Sequence, residues 1–369
     1  MKQFNYGLNE SISGLELAFA LPGFIVGVAI LSLPHNLAEH TTAVDGWVSI
    51  VVSGIFIMIA TLLAMKLALT FPGQTFLSYS SALITRPLAM MLNFGYSIIT
   101  ILITAFVIRA VADIAKHYLF ERTPIEVIAI SFLFVVVYAV SGSRPGLFRI
   151  NIMFFPIILA VLFLVIILNV RWVELDNFLP LFKSDFSGYI SGLNASISAY
   201  TGFGLVLFYT SLVRKPKNMY RKVIFGIGLP IFLYIVIFFT TIGVFGNIVT
   251  SNLVYPTVEL AKRVEFPGGF IERIESLFYI VWMMAIFTTA AFSYDIAVYT
   301  IQSAWKKISK IKIIIILSPI IFLISMFPQT NQQVEAFSNT LTKFSLPYTI
   351  AVTIILLIIA KVRGVKKSG

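Results

Sequence analysis

Long apolar runs alternate with short polar segments along the whole chain. An apolar run of about 20 residues is long enough to cross the hydrocarbon core of a bilayer as an α-helix. We expect ten such helices, and their limits are residues 17–38, 46–65, 87–108, 127–143, 150–170, 188–211, 223–245, 276–303, 313–328 and 344–360. The eighth run contains one acidic residue, Asp295. The pattern therefore predicts an all-α polytopic membrane protein.

The stretch from Leu67 to Thr85 also lacks charge, but it is not counted as a span. Pro72, Gly73 and several Ser and Thr residues interrupt it. We expect a loop and an amphipathic helix at the membrane surface.

The first apolar run contains residues that disfavour a continuous helix. Pro22 removes a backbone donor, and Gly23 and Gly27 lower the cost of leaving helical geometry. Unpaired backbone at membrane depth is tolerated only where it lines a protein cavity. The sequence thus predicts a broken first helix beside a cavity.

The sixth run is interrupted in the same way, by Gly188, Gly192, Gly202 and Gly204. The two interruptions lie close to half a chain length apart. Paired broken segments in two halves are typical of a five-plus-five inverted repeat with a binding site at the midplane. We therefore predict one transmembrane domain over residues 1–369, with repeats at about 10–170 and 186–362. Close helix packing is the alternative reason for such glycines.

Composition narrows the possible functions. With 59% hydrophobic and 12% charged residues, the chain is not a typical soluble domain. It has no cysteine, and His35, His40 and His117 lack the spacing of metal ligands. We expect no metal, no cofactor and no enzyme activity, since no nucleophile and base are paired in the sequence.

The net charge of +11 reports topology rather than nucleic-acid binding, because the basic residues flank apolar runs. Most of the 27 Lys and Arg residues lie on the side of the membrane that holds both termini, as in segments 214–222 and 306–312. Both termini are therefore predicted to be cytoplasmic.

Several short motifs occur in a characteristic order. They are Gly27-Val-Ala-Ile-Leu-Ser-Leu-Pro34, Asp45-Gly46-Trp47, Phe71-Pro72, Glu121-Arg122-Thr123-Pro124, Tyr255-Pro256-Thr257, the stretch 271–276, Trp282 and Thr288-Thr289. In this order the chain resembles the permease-like B subunits of bacterial spore germinant receptors, relatives of the amino acid/polyamine/organocation transporters. Ala29 and Gly204 depart from the common pattern of that family, so ligand identity does not transfer.

The resemblance implies a nutrient-sensing subunit in the inner membrane of the spore. It would bind a small germinant, such as an amino acid or a sugar-like solute, and signal to a membrane-embedded A subunit and a lipoprotein C subunit. A proton- or sodium-coupled amino-acid transporter is the alternative, and a structural subunit with a vestigial pocket is a third possibility.

In folds of this kind the ligand lies between the two broken helices and the third and eighth helices. The residues expected there are Gly23, Gly27, Ile103, Thr104, Thr201, Gly202, Phe203, Thr289, Ser293 and Tyr294. Helix ends freed at a break attract charged ligand groups. Packing between helices is the alternative for each residue taken singly.

Two further features involve charge. Asp295 is a candidate ion or proton site, because a carboxylate within a span is a functional candidate by default. A structural partner for a basic group is its alternative role. Thr288 and Thr289 loosely match a sodium site, although threonine also bonds its own helix. Arg109 and Asp113 are one turn apart, so we expect an ion pair.

Overall fold

The structure is a computed structural model that describes residues 11–264 and 274–365. Within these residues the chain is helical, apart from short turns and an isolated parallel bridge between Ile12 and Val213. The α-helices are α1 (Gly14–Ile25), α2 (Ala29–Ala38), α3 (Gly46–Thr70), α4 (Phe76–Leu83), α5 (Arg86–Tyr118), α6 (Ile125–Ser141), α7 (Arg144–Asn169), α8 (Phe186–Ser198), α9 (Val206–Tyr209), α10 (Met219–Thr250), α11 (Pro256–Lys262), α12 (Ile274–Ala304), α13 (Lys310–Met326) and α14 (Asn331–Val362).

Among the described residues, six helices are long and apolar enough to cross a membrane. The total is eight when each of two bent helix pairs counts as one span, and α6 is a shorter apolar helix. These lengths agree with a multi-pass membrane protein, as predicted.

Most helices extend beyond the charge-free runs. For example, α7 begins at Arg144, before the predicted start at residue 150, because the Ser143 side chain caps the Gly146 N–H and Pro145 occupies the first turn. Basic side chains at helix ends can reach the lipid headgroups, so a helix need not stop where its apolar run stops.

The first predicted break is present. Helices α1 and α2 meet at 51° across residues 26–28. Pro22 does not mark the bend, because it lies inside α1 and its carbonyl accepts the Val26 N–H. The bend follows Pro22, next to Gly27.

The second predicted break is also present. Helix α8 and the segment Phe203–Leu212, which contains α9, meet at 42°. Gly202 has a φ of 110°, a left-handed conformation that disfavours any residue with a Cβ atom. Gly188 and Gly192 lie within α8 and serve close packing, since a Cβ atom there would approach His40 and Ser49.

The segment Leu67–Thr85 differs from the prediction in part. Helix α3 continues to Thr70, and only α4 matches the expected amphipathic helix. The buried face of α4 packs on α5, and the Tyr79 hydroxyl donates to the Leu207 carbonyl at 3.2 Å. The helix thus contacts the second broken span.

Helix α12 lies at the centre of the protein and packs most extensively on α5, with further contacts to α7 and α1. The loop between α10 and α12 contains α11, which packs against α2 and α12. Residues 265–273 of that loop, with the motif residues Ile271, Glu272 and Arg273, lie outside the described residues.

Asp45, at the start of α3, holds the connection between the two halves of the chain. Its buried carboxylate accepts hydrogen bonds from the N–H groups of Phe182, Lys183 and Ser184, at 2.7 to 2.8 Å. Because α8 begins at Phe186, the contact fixes the entry to the second broken span.

Candidate functional site

A cavity lies beside the second break. It is lined by residues of α1, α5, α12, α14 and the segment after α8, namely Phe24, Tyr96, Ile99, Thr100, Ile103, Thr201, Gly202, Phe203, Gly204, Leu205, Phe208, Ile296, Ser345, Leu346 and Thr349. The cavity volume is about 40 Å³. A water molecule needs roughly 10–15 Å³ by this measure, so the space fits a few waters.

The backbone at this break presents unpaired donors. The N–H groups of Gly202, Phe203 and Gly204 donate to no described residue, whereas the next N–H, of Leu205, donates to the Gly202 carbonyl. Consecutive backbone N–H groups without an acceptor are able to bind an anionic group such as a carboxylate.

Phe24 connects the two breaks. Its ring lies against Gly202, because a Cβ atom on Gly202 would be 2.0 Å from Phe24 Cδ1. The ring also lines the cavity. Phe24 is one residue beyond Gly23 in α1, so a change at either break can reach the other through this contact.

At the first break, the backbone carbonyl groups accept hydrogen bonds from side chains of other helices. Gly23 accepts from the Thr288 hydroxyl at 2.7 Å, and Phe24 accepts from the Thr289 hydroxyl at 2.9 Å. The Ile25 carbonyl accepts from the Tyr234 hydroxyl at 3.0 Å, and the Gly27 carbonyl accepts from Trp282 Nε1 at 3.0 Å.

Gly23 and Gly27 are sites of close packing. A Cβ atom on Gly23 would lie 1.8 Å from Asn151 Oδ1, and one on Gly27 would lie 2.3 Å from Thr289 Oγ1. Neither glycine lines the cavity in this conformation. Of the predicted ligand-binding residues, the cavity brings together Ile103, Thr201, Gly202 and Phe203.

The remaining predicted residues lie around α12. Thr104 and Ser293 join α5 to α12 through hydroxyl groups 2.9 Å apart. Tyr294 points to α13, where its hydroxyl donates to the Ile314 carbonyl at 2.7 Å. These three residues lie outside the cavity lining, and their roles in binding stay predictions.

Asp295 is fully buried and paired. Its carboxylate lies 3.2 Å from Arg144 Nε and 3.5 Å from Lys310 Nζ, and it accepts from the Tyr209 hydroxyl at 2.9 Å. Arg144 also donates to Gln302 at 3.0 Å. This charged cluster ties α7, α12 and α13 to the end of the second broken span.

The predicted ion pair between Arg109 and Asp113 is confirmed. Arg109 Nε lies 2.9 Å from Asp113 Oδ2. The pair lies outside the cavity lining.

Comparison with known proteins identifies the family. The family described as "Spore germination protein" matches residues 11–334. Spore germination protein GerLB of Bacillus cereus is 33% identical over 365 residues, which cover 98% of this chain and 97% of GerLB. The chain belongs to the spore germination protein family. Spore germination protein YndE of Bacillus subtilis strain 168 is 24% identical, with 96% of this chain and 97% of YndE covered.

This spore germination protein also has a structural neighbour. The crystal structure of MhsT in complex with L-phenylalanine superposes with a TM-score of 0.70 and covers 96% of this chain and 100% of MhsT. The sequence identity is 14%, so the likeness shows the fold alone.

The sequence prediction missed part of the cavity wall in this family member. Ser345, Leu346 and Thr349 of α14 and Tyr96 of α5 line the cavity. The signal in the sequence was the pair Ser345 and Thr349, one turn apart in an apolar run. It could not be assigned to the site, because the approach of α14 to the second break depends on tertiary packing.

Proposed function

We propose that this chain is the nutrient-sensing subunit of a spore germinant receptor. A small germinant binds beside the second break, and the resulting change of conformation triggers germination through partner subunits. The observation that supports this proposal most directly is the cavity that borders the three free N–H groups of Gly202, Phe203 and Gly204.

The chemistry of the cavity favours a small solute with a carboxylate and an apolar body. The free N–H groups suit a carboxylate. Most other lining groups are aliphatic or aromatic, and no Asp, Glu, Lys or Arg side chain is among them. Small solutes bind in largely apolar pockets with a few placed polar groups, as here. An amino acid has this character.

Binding must be coupled to movement. The present volume of about 40 Å³ is too small for an amino acid, so the cavity has to widen. The Phe24 ring lines the cavity and lies against Gly202. Displacement of this ring would transmit ligand binding to α1 and α2, and a ligand that binds the wider state shifts the population toward it.

The remaining features of the proposal follow the family resemblance. The chain would cross the inner spore membrane ten times, with each bent pair as one span and α6 and α13 included. The repeats would be related by inverted topology, with both termini cytoplasmic. The partners would be a membrane-embedded A subunit and a lipoprotein C subunit, together with membrane lipid.

A proton- or sodium-coupled amino-acid transporter is the second candidate. The hydroxyls of Thr288 and Thr289 meet the carbonyls of Gly23 and Phe24, which groups four oxygen atoms at the first break. Carbonyls at an unwound helix coordinate sodium in transporters of this architecture. Asp295 would then be the candidate proton site. Uptake that depends on sodium or pH would favour this function.

One experiment separates the two functions. The gene is deleted in a spore former, and germination with a panel of single nutrients is compared with uptake of the same radiolabelled nutrients by growing cells. A receptor predicts lost germination with one nutrient and unchanged uptake. Lost uptake in growing cells, with germination intact, would overturn the receptor proposal.

A further inference from the structure

The cavity wall made by α5 and α14 carries two hydroxyl groups without partners. Tyr96 and Ser345 are 3% and 4% exposed, and both line the cavity. Ser345 Oγ makes no hydrogen bond to a described residue. The Tyr96 hydroxyl faces the Thr349 side chain, but without the distance and angles of a hydrogen bond. Buried polar groups in proteins are nearly always hydrogen-bonded, so each exception requires an explanation.

Neighbouring hydroxyls on the same helices are satisfied within their own helix. Thr100 donates to the Tyr96 carbonyl at 2.8 Å, and Thr349 donates to the Ser345 carbonyl at 2.9 Å. Thr353 does the same with Thr349 at 2.7 Å. Tyr96 and Ser345 are therefore the two hydroxyls of this wall that remain available to a ligand.

The two hydroxyls lie beside the second break, in a wall that is otherwise largely apolar. Thr349 faces Gly204, since a Cβ atom on Gly204 would be 2.8 Å from Thr349 Cγ2. Ser345 lies one turn before Thr349 in α14, roughly 6 Å away along the helix axis. Ile99, Ile103 and Ile296 provide apolar lining in the same cavity.

We infer that Tyr96 and Ser345 recognise an uncharged hydrogen-bonding group on the germinant, such as a hydroxyl or an amide. The inference rests on the proposed function and adds the specificity of the site. A hydroxyl can both donate and accept, which suits a neutral polar group. An ionised group at this end would be buried without a counter-charge, because no charged side chain lines the cavity.

Matched solutes test this inference. The full-length chain is placed in lipid nanodiscs, and binding of radiolabelled solutes is measured for pairs of similar size: threonine and valine, asparagine and leucine, serine and alanine. A site built to hydrogen-bond its ligand rejects an analogue that lacks the polar group. We expect at least one pair to show about a tenfold or greater preference for the polar member.

Three variants complete the test. Ser345→Ala and Tyr96→Phe should each reduce that preference several-fold. Thr353→Val, on the same helix but outside the cavity lining, should leave it unchanged. Gel filtration of each variant in nanodiscs checks folding.

The possible failures are distinguishable. If the wild-type chain binds no solute of the panel, the proposed binding function fails. If it binds solutes but prefers the apolar members, or if the preference survives in Ser345→Ala and Tyr96→Phe, the inference is overturned and the proposed function stands.

Discussion

Among single residues, Asp295 has the most clearly defined environment. Its buried carboxylate contacts Arg144, Lys310 and Tyr209. Removing one partner of a buried ion pair typically costs about 3–5 kcal/mol, because the other charge remains buried without compensation. Asp295→Asn should therefore lower the melting temperature of the purified chain and its abundance in spore membranes.

The matched control for Asp295→Asn is Asp113→Asn. The Asp113 side chain is 16% exposed, and its pair with Arg109 lies within one helix, so we expect a smaller effect. A stable Asp295→Asn protein with normal abundance and a weakened nutrient response would instead assign Asp295 to a proton or ion site.

Substitution of Gly202 tests the backbone conformation at the second break. An alanine there would have to adopt a φ of 110° and displace the Phe24 ring. Gly202→Ala should lower the melting temperature and weaken nutrient binding.

Gly228→Ala is the control for this glycine, because a Cβ atom at Gly228 in α10 would meet nothing within 4 Å. That variant should be as stable as the wild type or slightly more so, since alanine is favoured over glycine in a helix. Equal melting temperatures and binding for the two variants would contradict the assigned conformation at Gly202.

How far the sequence predicts single residues depends on what each side chain contacts. The glycine pattern correctly identified the region of both breaks, and spacing along one helix identified the pair of Arg109 and Asp113. The sequence could not show that Gly27 packs against Thr289 or that Tyr294 points to α13. Both contacts depend on how each helix is rotated about its axis relative to its neighbour.

At the scale of elements, the two broken helices were predicted from glycine and proline positions within apolar runs, but the position of the first bend was not. Pro22 stays within α1, and the bend forms next to Gly27. A proline interrupts a hydrogen bond one turn before itself. The bend instead lies where side chains of α12 bond the carbonyls of residues 23, 24 and 27.

The connection between the halves provides a prediction about pH. Burial raises the pKa of the Asp45 carboxyl, but hydrogen bonds from Ser184, Phe182 and Lys183 together lower it by more, so its pKa lies below the usual 3.8. A lowered pKa in the folded state stabilises the fold above the unfolded pKa, and this stabilisation is lost as the pH falls through the folded value.

Asp45→Asn should accordingly lower the melting temperature at pH 7, because its amide N–H group would face backbone donors. The difference from the wild type should shrink as the pH falls below 3.8. Asp176 is exposed in the same connection. Asp176→Asn should therefore leave the melting temperature unchanged, both at pH 7 and below pH 3.8. A pH-independent difference for Asp45→Asn would show that the carboxylate charge does not hold the connection.

At the scale of the whole molecule, the sequence predicted a multi-pass membrane protein, because apolar runs are local features. The inverted repeat stays a prediction. The sequence did not predict that α14 completes the cavity wall. A helix near the end of the chain meets the second break only after the intervening helices have packed, and no local pattern specifies that approach.

Membrane topology can be tested directly, because the chain has no native cysteine. Single cysteines are introduced in place of Asp176 and Lys215, which are both exposed and lie on opposite predicted sides. A membrane-impermeant maleimide added to intact protoplasts of cells expressing the chain should label Asp176→Cys and leave Lys215→Cys unlabelled until the membrane is opened. The reverse pattern would place the termini outside.

The central claim is that a small nutrient binds in the cavity beside the second break. Its most direct test is the size preference of spores that carry Ile103→Ala, which enlarges the cavity, beside Ile101→Ala, which changes the same helix outside the lining. Germination dose curves are recorded for asparagine and glutamine, which share a side-chain amide and differ by one methylene group, with immunoblots of spore membranes to confirm abundance.

Ile103→Ala should shift the ratio of half-maximal concentrations toward the longer solute by about tenfold or more, as expected when a pocket gains room for a methylene group. Ile101→Ala should keep the wild-type ratio. An unchanged ratio for Ile103→Ala at normal abundance would contradict the assignment of the binding site to this cavity.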